Sequence, residues 1–129
     1  MQRAPFRVGY LPAGYRYRGA QSQTDKDGAP GMITLVHTKA DSATICVSLY
    51  RYDQHSWNWD SQAKSVEVNG LPARVTDGMV MIRYGSALIT VFAKQREGSG
   101  ELLAVARGLS LAKDPADEST WFAIARAVG

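Results

Sequence analysis

Apolar and polar residues alternate over most of the first three-quarters of the chain, the period of two that belongs to strands with one buried face. The clearest case is 43–52, where Ile45, Val47 and Leu49 share one face and Thr44, Cys46, Ser48, Tyr50 and Tyr52 share the other. Shorter runs predict strands at 6–10, 15–18 and 32–37. Leu11-Pro12-Ala13-Gly14 separates the first two, with a proline to preset one turn torsion and a glycine to take a positive φ. Two polar stretches, 21–31 and 53–63, read as loops, the first broken by Asp27-Gly28 and Pro30-Gly31. From 65 onward the pattern becomes a meander. Strands at 65–68, 73–76, 79–84 and 87–94 are joined by Asn69-Gly70, Asp77-Gly78 and Gly85-Ser86. Asn-Gly is the strongest of these hairpin signals, because both residues tolerate positive φ. Pro72, just past that turn, makes its strand either an edge or irregular at its start.

The period then lengthens. Ser99 can cap a helix whose first turn holds Glu101 and whose stripe is Leu102, Leu103, Ala106 and Leu109, with Gly108 placed to end it. A second helix is expected after Asp114-Pro115, with Asp117 and Glu118 near its start and Trp121, Ile124, Ala125 and Val128 at i, i+3, i+4 and i+7. Strands followed by helices predict an α+β domain. It would be a curved antiparallel sheet, a meander of six to eight strands, with two C-terminal helices packed on one face and the opposite face free.

Composition narrows the class. At 129 residues, 45% hydrophobic and 21% charged, the chain is a single globular domain with a core of its own and not a disordered segment. One cysteine excludes a disulfide framework and a Cys-rich zinc site. No apolar stretch approaches the roughly 20 residues of a spanning helix, and no apolar signal core follows Met1. The net charge is +3, and residues 1–20 hold Arg3, Arg7, Arg16 and Arg18 with no acid. These bases alternate with apolar residues, as in Arg16-Tyr17-Arg18, which puts them on the wet side of strands. That disfavours nucleic acid, whose binders concentrate bases in one run or on one helix face. It suits an anionic surface or partner.

Catalytic and cofactor signatures are weak. The glycines fall in hairpin turns, and Gly98-Ser99-Gly100 has neither the lysine of a phosphate loop nor the spacing of a nucleophile elbow. Cys46 sits mid-strand between Ile45 and Val47, the place of a small buried thiol. His37, Asp41, Asp53, His55 and Asp60 lack the spacing of a metal site, and Asp25-Lys26-Asp27-Gly28 lacks the later ligands of a calcium loop. Glu67 and Asp77 adjoin turns, where acids serve conformation and not catalysis. No cofactor and no metal is expected, and the balance is against an enzyme.

One concentration stands out. Tyr50, Arg51, Tyr52, His55, Trp57 and Trp59 lie within eleven residues, 50–60, and combine flat apolar surfaces with polar edges, the make-up of sugar- and protein-binding sites. Tyr50 and Tyr52 lie opposite Ile45, Val47 and Leu49, pointing away from the core or covering a second layer. The competing expectation is that Trp57 or Trp59 folds back to seal a sheet edge or barrel end.

Taken together, Tyr10-Leu11-Pro12-Ala13-Gly14-Tyr15, Val68-Asn69-Gly70-Leu71-Pro72-Ala73 and Asp114-Pro115-Ala116-Asp117-Glu118-Ser119-Thr120-Trp121-Phe122 carry a resemblance. The chain resembles the C-terminal extracytoplasmic domain of uncharacterised actinobacterial membrane-anchored proteins, an anti-sigma-associated, sporulation-lipoprotein-like domain of unknown function. The motifs are turn and packing signatures and bring no catalytic residues. The resemblance implies an N-terminal portion with a membrane helix that this chain lacks, hence a domain of a longer protein on the outer side of the membrane. Without it, a cytoplasmic location stands. The expected function is a non-enzymatic binding or sensing module of a regulatory or envelope protein. Its partner would be a protein, a lipid or a cell-wall polymer, met by the aromatic segment with Arg16, Arg18 and Arg51 steering an anionic one. Two other functions stay open: a small hydrolase or transferase using His55 with Asp53 or Asp60, and a scaffold domain without a ligand.

Overall fold

The computed structural model describes residues 3–24, 30–39, 43–50, 63–76, 78–85, 87–93, 99–115 and 117–124. Seven strands form one antiparallel sheet: β3 (Arg16–Thr24), β4 (Pro30–Thr38), β5 (Thr44–Tyr50), β6 (Lys64–Val68), β7 (Leu71–Thr76), β8 (Met79–Tyr84) and β9 (Ala87–Ala93). Their spatial order, β3-β4-β5-β9-β8-β7-β6, joins two meanders through their last strands. The edges are therefore the first strand of each meander, β3 and β6. The central strand β9 is buried at nearly every position, in keeping with its run Ala-Leu-Ile-Thr-Val-Phe-Ala, apolar except at Thr90.

The register aligns the core. Ile33, Leu49, Ile89, Ile82 and Ala73 form one row across β4, β5, β9, β8 and β7, and Leu35, Val47, Val91, Val80 and Val75 form the next. These cross-strand aliphatic contacts are the unit of sheet stability, and burying each large side chain is worth about 1.5–3 kcal/mol. The helix α1 (Ser99–Arg107) covers this face, packing on β7, β8 and β9 and burying Leu102, Val105 and Ala106.

Asn69 (φ 53°) and Gly70 (φ 82°) take the positive torsions of the tight β6–β7 turn. Pro72 does not make β7 an edge, since β7 lies between β6 and β8. Instead the ladder with β8 begins only at Ala73–Ile82, so Pro72 opposes Glu67 of β6 and owes no N–H to the other side.

The N-terminal residues close the core through two small ladders. β1 (Arg3–Ala4) pairs with β11 (Phe122–Ala123), and β2 (Phe6–Val8) pairs with β10 (Leu109–Leu111). Between them the Ala112 N–H donates to the Pro5 carbonyl at 2.7 Å. Ala4, Phe6 and Val8 turn inward while Arg3 and Arg7 face water.

Two expectations need correction. Among the described residues there is one α-helix, not two. Residues 118–120 form a 3-10 turn capped by Asp117, and Trp121 leaves it with extended backbone (φ −76°, ψ 158°). Thr120 Oγ1 lies 2.8 Å from the Asp114 carbonyl oxygen and 2.7 Å from that of Asp117, which holds 114–120 in a tight local turn. Trp121 is buried in the core with its indole N–H donating to the Pro115 carbonyl, and Phe122–Ala123 joins β1. Local side-chain bonds to backbone thus take the place of helix over 117–123, while Ala125 and Val128, the rest of the expected stripe, lie outside the described residues.

Nor is the face opposite α1 free at its centre. Thr34, Ser48, Thr90, Met81 and Leu88 point to it, and none is more than 7% exposed. Both faces of the sheet carry buried side chains.

Candidate functional site

The second face is ordered in three rows. Thr34, Ser48, Thr90 and Met81 occupy the middle row, with Gln21 beyond Thr34 on the edge. Val36, Cys46, Phe92 and Met79 form one flank, and Met32, Tyr50, Leu88 and Arg83 form the other. In the middle row the Thr34 and Ser48 hydroxyls bond at 2.7 Å, which offsets the cost of burying both. Met81 and Leu88 form a small apolar cluster of their own, against which Tyr50 and Met79 pack half-buried.

Tyr50 is the last residue of β5, and the aromatic segment departs from it. Its side chain lies on the second face, in the same set as Cys46 and Ser48, as alternation predicts. Of the other candidates in that segment, Arg51, Tyr52, His55, Trp57 and Trp59 lie outside the described residues.

Arg16 and Arg18 are exposed on the edge strand β3. They are not brought to Tyr50. Arg16 opposes Thr38 at one end of β4, whereas Tyr50 opposes Met32 near the other. Six residues of strand place the two rows about 20 Å apart. The arginines can contribute charge at long range, but they do not share a contact patch with Tyr50.

His37, whose spacing does not suit a metal site, has an unusual setting. It lies on the α1 side of the sheet, opposite Tyr17 on β3 and Ile45 on β5, and is completely buried. Neither ring nitrogen has a hydrogen-bond partner among the described residues. The Tyr17 ring lies against it, centroids 5.8 Å apart and tilted by 57°. Burial lowers its pKa from 6.5 to about 4, so the ring is neutral near pH 7. The signal was legible in the spacing: Ile33, Leu35 and His37 fall on one side of an alternating run.

Among the described residues no three His, Cys, Asp or Glu side chains converge as a metal site would require, and no helix is long and apolar enough to cross a membrane. No protein-family model matches the chain, and no curated protein matches it.

Proposed function

We propose that the chain is a non-enzymatic binding or sensing module, carried by a curved antiparallel sheet on the outer side of a membrane. It would belong to an envelope or anti-sigma-associated regulatory protein of actinobacterial type, tethered by a segment outside this chain. The observation that supports this reading is the position of Tyr50. It packs with Met79, Met81 and Leu88 on the face opposite α1, and from it the chain enters the stretch holding Tyr52, His55, Trp57 and Trp59. Aromatic side chains with polar edges supply contact area at low entropic cost, which suits a protein, a lipid or a cell-wall polymer. Arg16, Arg18 and Arg51 add positive charge that favours an anionic partner.

The test compares the unmodified domain with a Trp57→Ala, Trp59→Ala variant. Each is offered to isolated cell wall, to vesicles of anionic phospholipid and to solubilised envelope protein. Retention on one of the three, lost in the variant while its thermal unfolding is unchanged, is the expected result. Equal retention of both proteins, or retention of neither, overturns the assignment.

A further inference from the structure

The burial of His37 gains its meaning from the strand that covers it. β3 is an edge of the seven-strand sheet and, among the described residues, takes its ladder from β4 alone. That ladder is interrupted beside the histidine. Tyr17 opposes His37, but the next pair is Gly19 with Val36, which leaves Arg18 as an extra residue in a bulge. Tyr17 is thus held beside a break in the pairing, on an edge strand.

Among the described residues no hydrogen-bond partner compensates a charge on the ring. Its ladder neighbours on this face are Tyr17 from β3 and Ile45 from β5, with Ala93 of β9 beyond. Of these only Tyr17 carries a polar group, its hydroxyl. Lys39, two residues further along the same strand direction, has its ammonium 5.8 Å from the Tyr15 ring centre. Burial is the cause of the shift at His37. An imidazolium at this position would be a buried cation with no acceptor among the described residues, which a protein avoids by staying neutral or by opening.

We propose that His37 is an acid-sensitive latch for the sheet edge: protonation of its ring drives β3 to separate from β4 around Tyr17 while the rest of the sheet stays folded. Opening at β3 is the least costly route to water, because it breaks one ladder at an existing bulge, whereas exposure through β5 or β9 would break two ladders and the core. The sign follows from linkage. In the closed form the ring binds its proton at about pH 4, and in the open form at its ordinary 6.5. The open form therefore holds more protons between those values, and the closed form loses its advantage as pH falls from 6.5 to 4. The acid form would carry Arg16 and Arg18 on a loosened strand and leave β4 as the new edge. This inference stands apart from the binding role of the aromatic segment and survives its failure.

Hydrogen exchange on the full chain tests it, with protection factors corrected for the intrinsic pH dependence of exchange. Between pH 7 and pH 5 the protection of β3 amides should fall about twenty-fold, while β8 and β9 keep theirs. In His37→Phe and His37→Leu, β3 protection should not change over that interval. Equal loss in β3 and β9, a loss that persists in the variants, or no loss in the unmodified chain overturns the proposal. Should neither variant fold, the His37 ring resonances of the unmodified chain decide it. Protonation accompanied by loss of β3 protection supports the latch, and a ring that titrates near 6.5 with β3 still protected refutes it.

Discussion

Gly9 and Gly108 meet backbone to backbone: the Gly9 N–H donates to the Gly108 carbonyl at 3.1 Å, where the end of α1 passes the start of the domain. A Cβ at Gly9 would stand 2.6 Å from that oxygen, and one at Gly108 would stand 2.9 Å from the Tyr10 Cβ. Gly108 thus ends the helix not by a left-handed torsion but by leaving room for another strand. Gly9→Ala is expected to destabilise the domain by about 2–3 kcal/mol, as overpacking against fixed backbone does. Gly19→Ala, where a Cβ meets open space, should stay within about 0.5 kcal/mol of the parent in the same urea titration.

The hydroxyl pair Thr34–Ser48 on the second face should behave as a unit. Ser48→Ala removes one member and strips the buried Thr34 hydroxyl of this partner, at a cost of about 1–3 kcal/mol. Adding Thr34→Val removes the orphan, so the double variant should be more stable than Ser48→Ala alone. A double variant weaker than either single one in chemical denaturation contradicts this account.

Asn69 links a hairpin turn to a helix end. Its Nδ2 donates to the Arg107 and Leu109 carbonyls at 3.4 and 3.3 Å, while its φ of 53° serves the turn. Asn69→Gly keeps the torsion and loses both bonds, which should cost about 1 kcal/mol. Asn69→Ala adds the strain of a left-handed backbone and should cost about 1 kcal/mol more. Similar unfolding midpoints for the two variants would show that the turn torsion carries no weight.

The 3-10 turn at 118–120 has its own pH dependence. The Ser119 hydroxyl and N–H donate to the Asp117 carboxylate at 2.7 and 3.0 Å and hold its pKa below the ordinary carboxylate value. The turn gains from this at neutral pH and loses it as pH falls through the lowered pKa. In a carboxyl NMR titration Ser119→Ala should move Asp117 back upward. An unmoved Asp117 would mean that the backbone cap alone sets its value.

The strands of strongest alternation were legible in the sequence, and the reason is burial. β5 could be read from Ile45, Val47 and Leu49, and the Asn69-Gly70 turn from its torsions. The polar end of β3 could not. Gln21-Ser22-Gln23 is strand because β4 supplies its hydrogen bonds, and as an exposed edge it needs no apolar residues. Strands of two or three residues, such as β1, β10 and β11, exist only through partners distant in sequence, and no local pattern announces them. The second face misled for another reason. Threonine and serine suggest a wet surface, yet Thr34, Ser48 and Thr90 are buried side by side. Of the candidate site, alternation placed Tyr50 correctly on that face. It could not show that Arg16 lies at the far end of the strands, because that distance depends on register.

The pairing of Arg3 with Ala123 sets how the domain would respond to tension. The first and last described strands run side by side in opposite directions, so a pull on the two outward ends loads their hydrogen bonds one after another and not all at once. Stretched between two attachment points, the fold would unzip from this seam at low force. A single tether at either end would leave the seam unloaded.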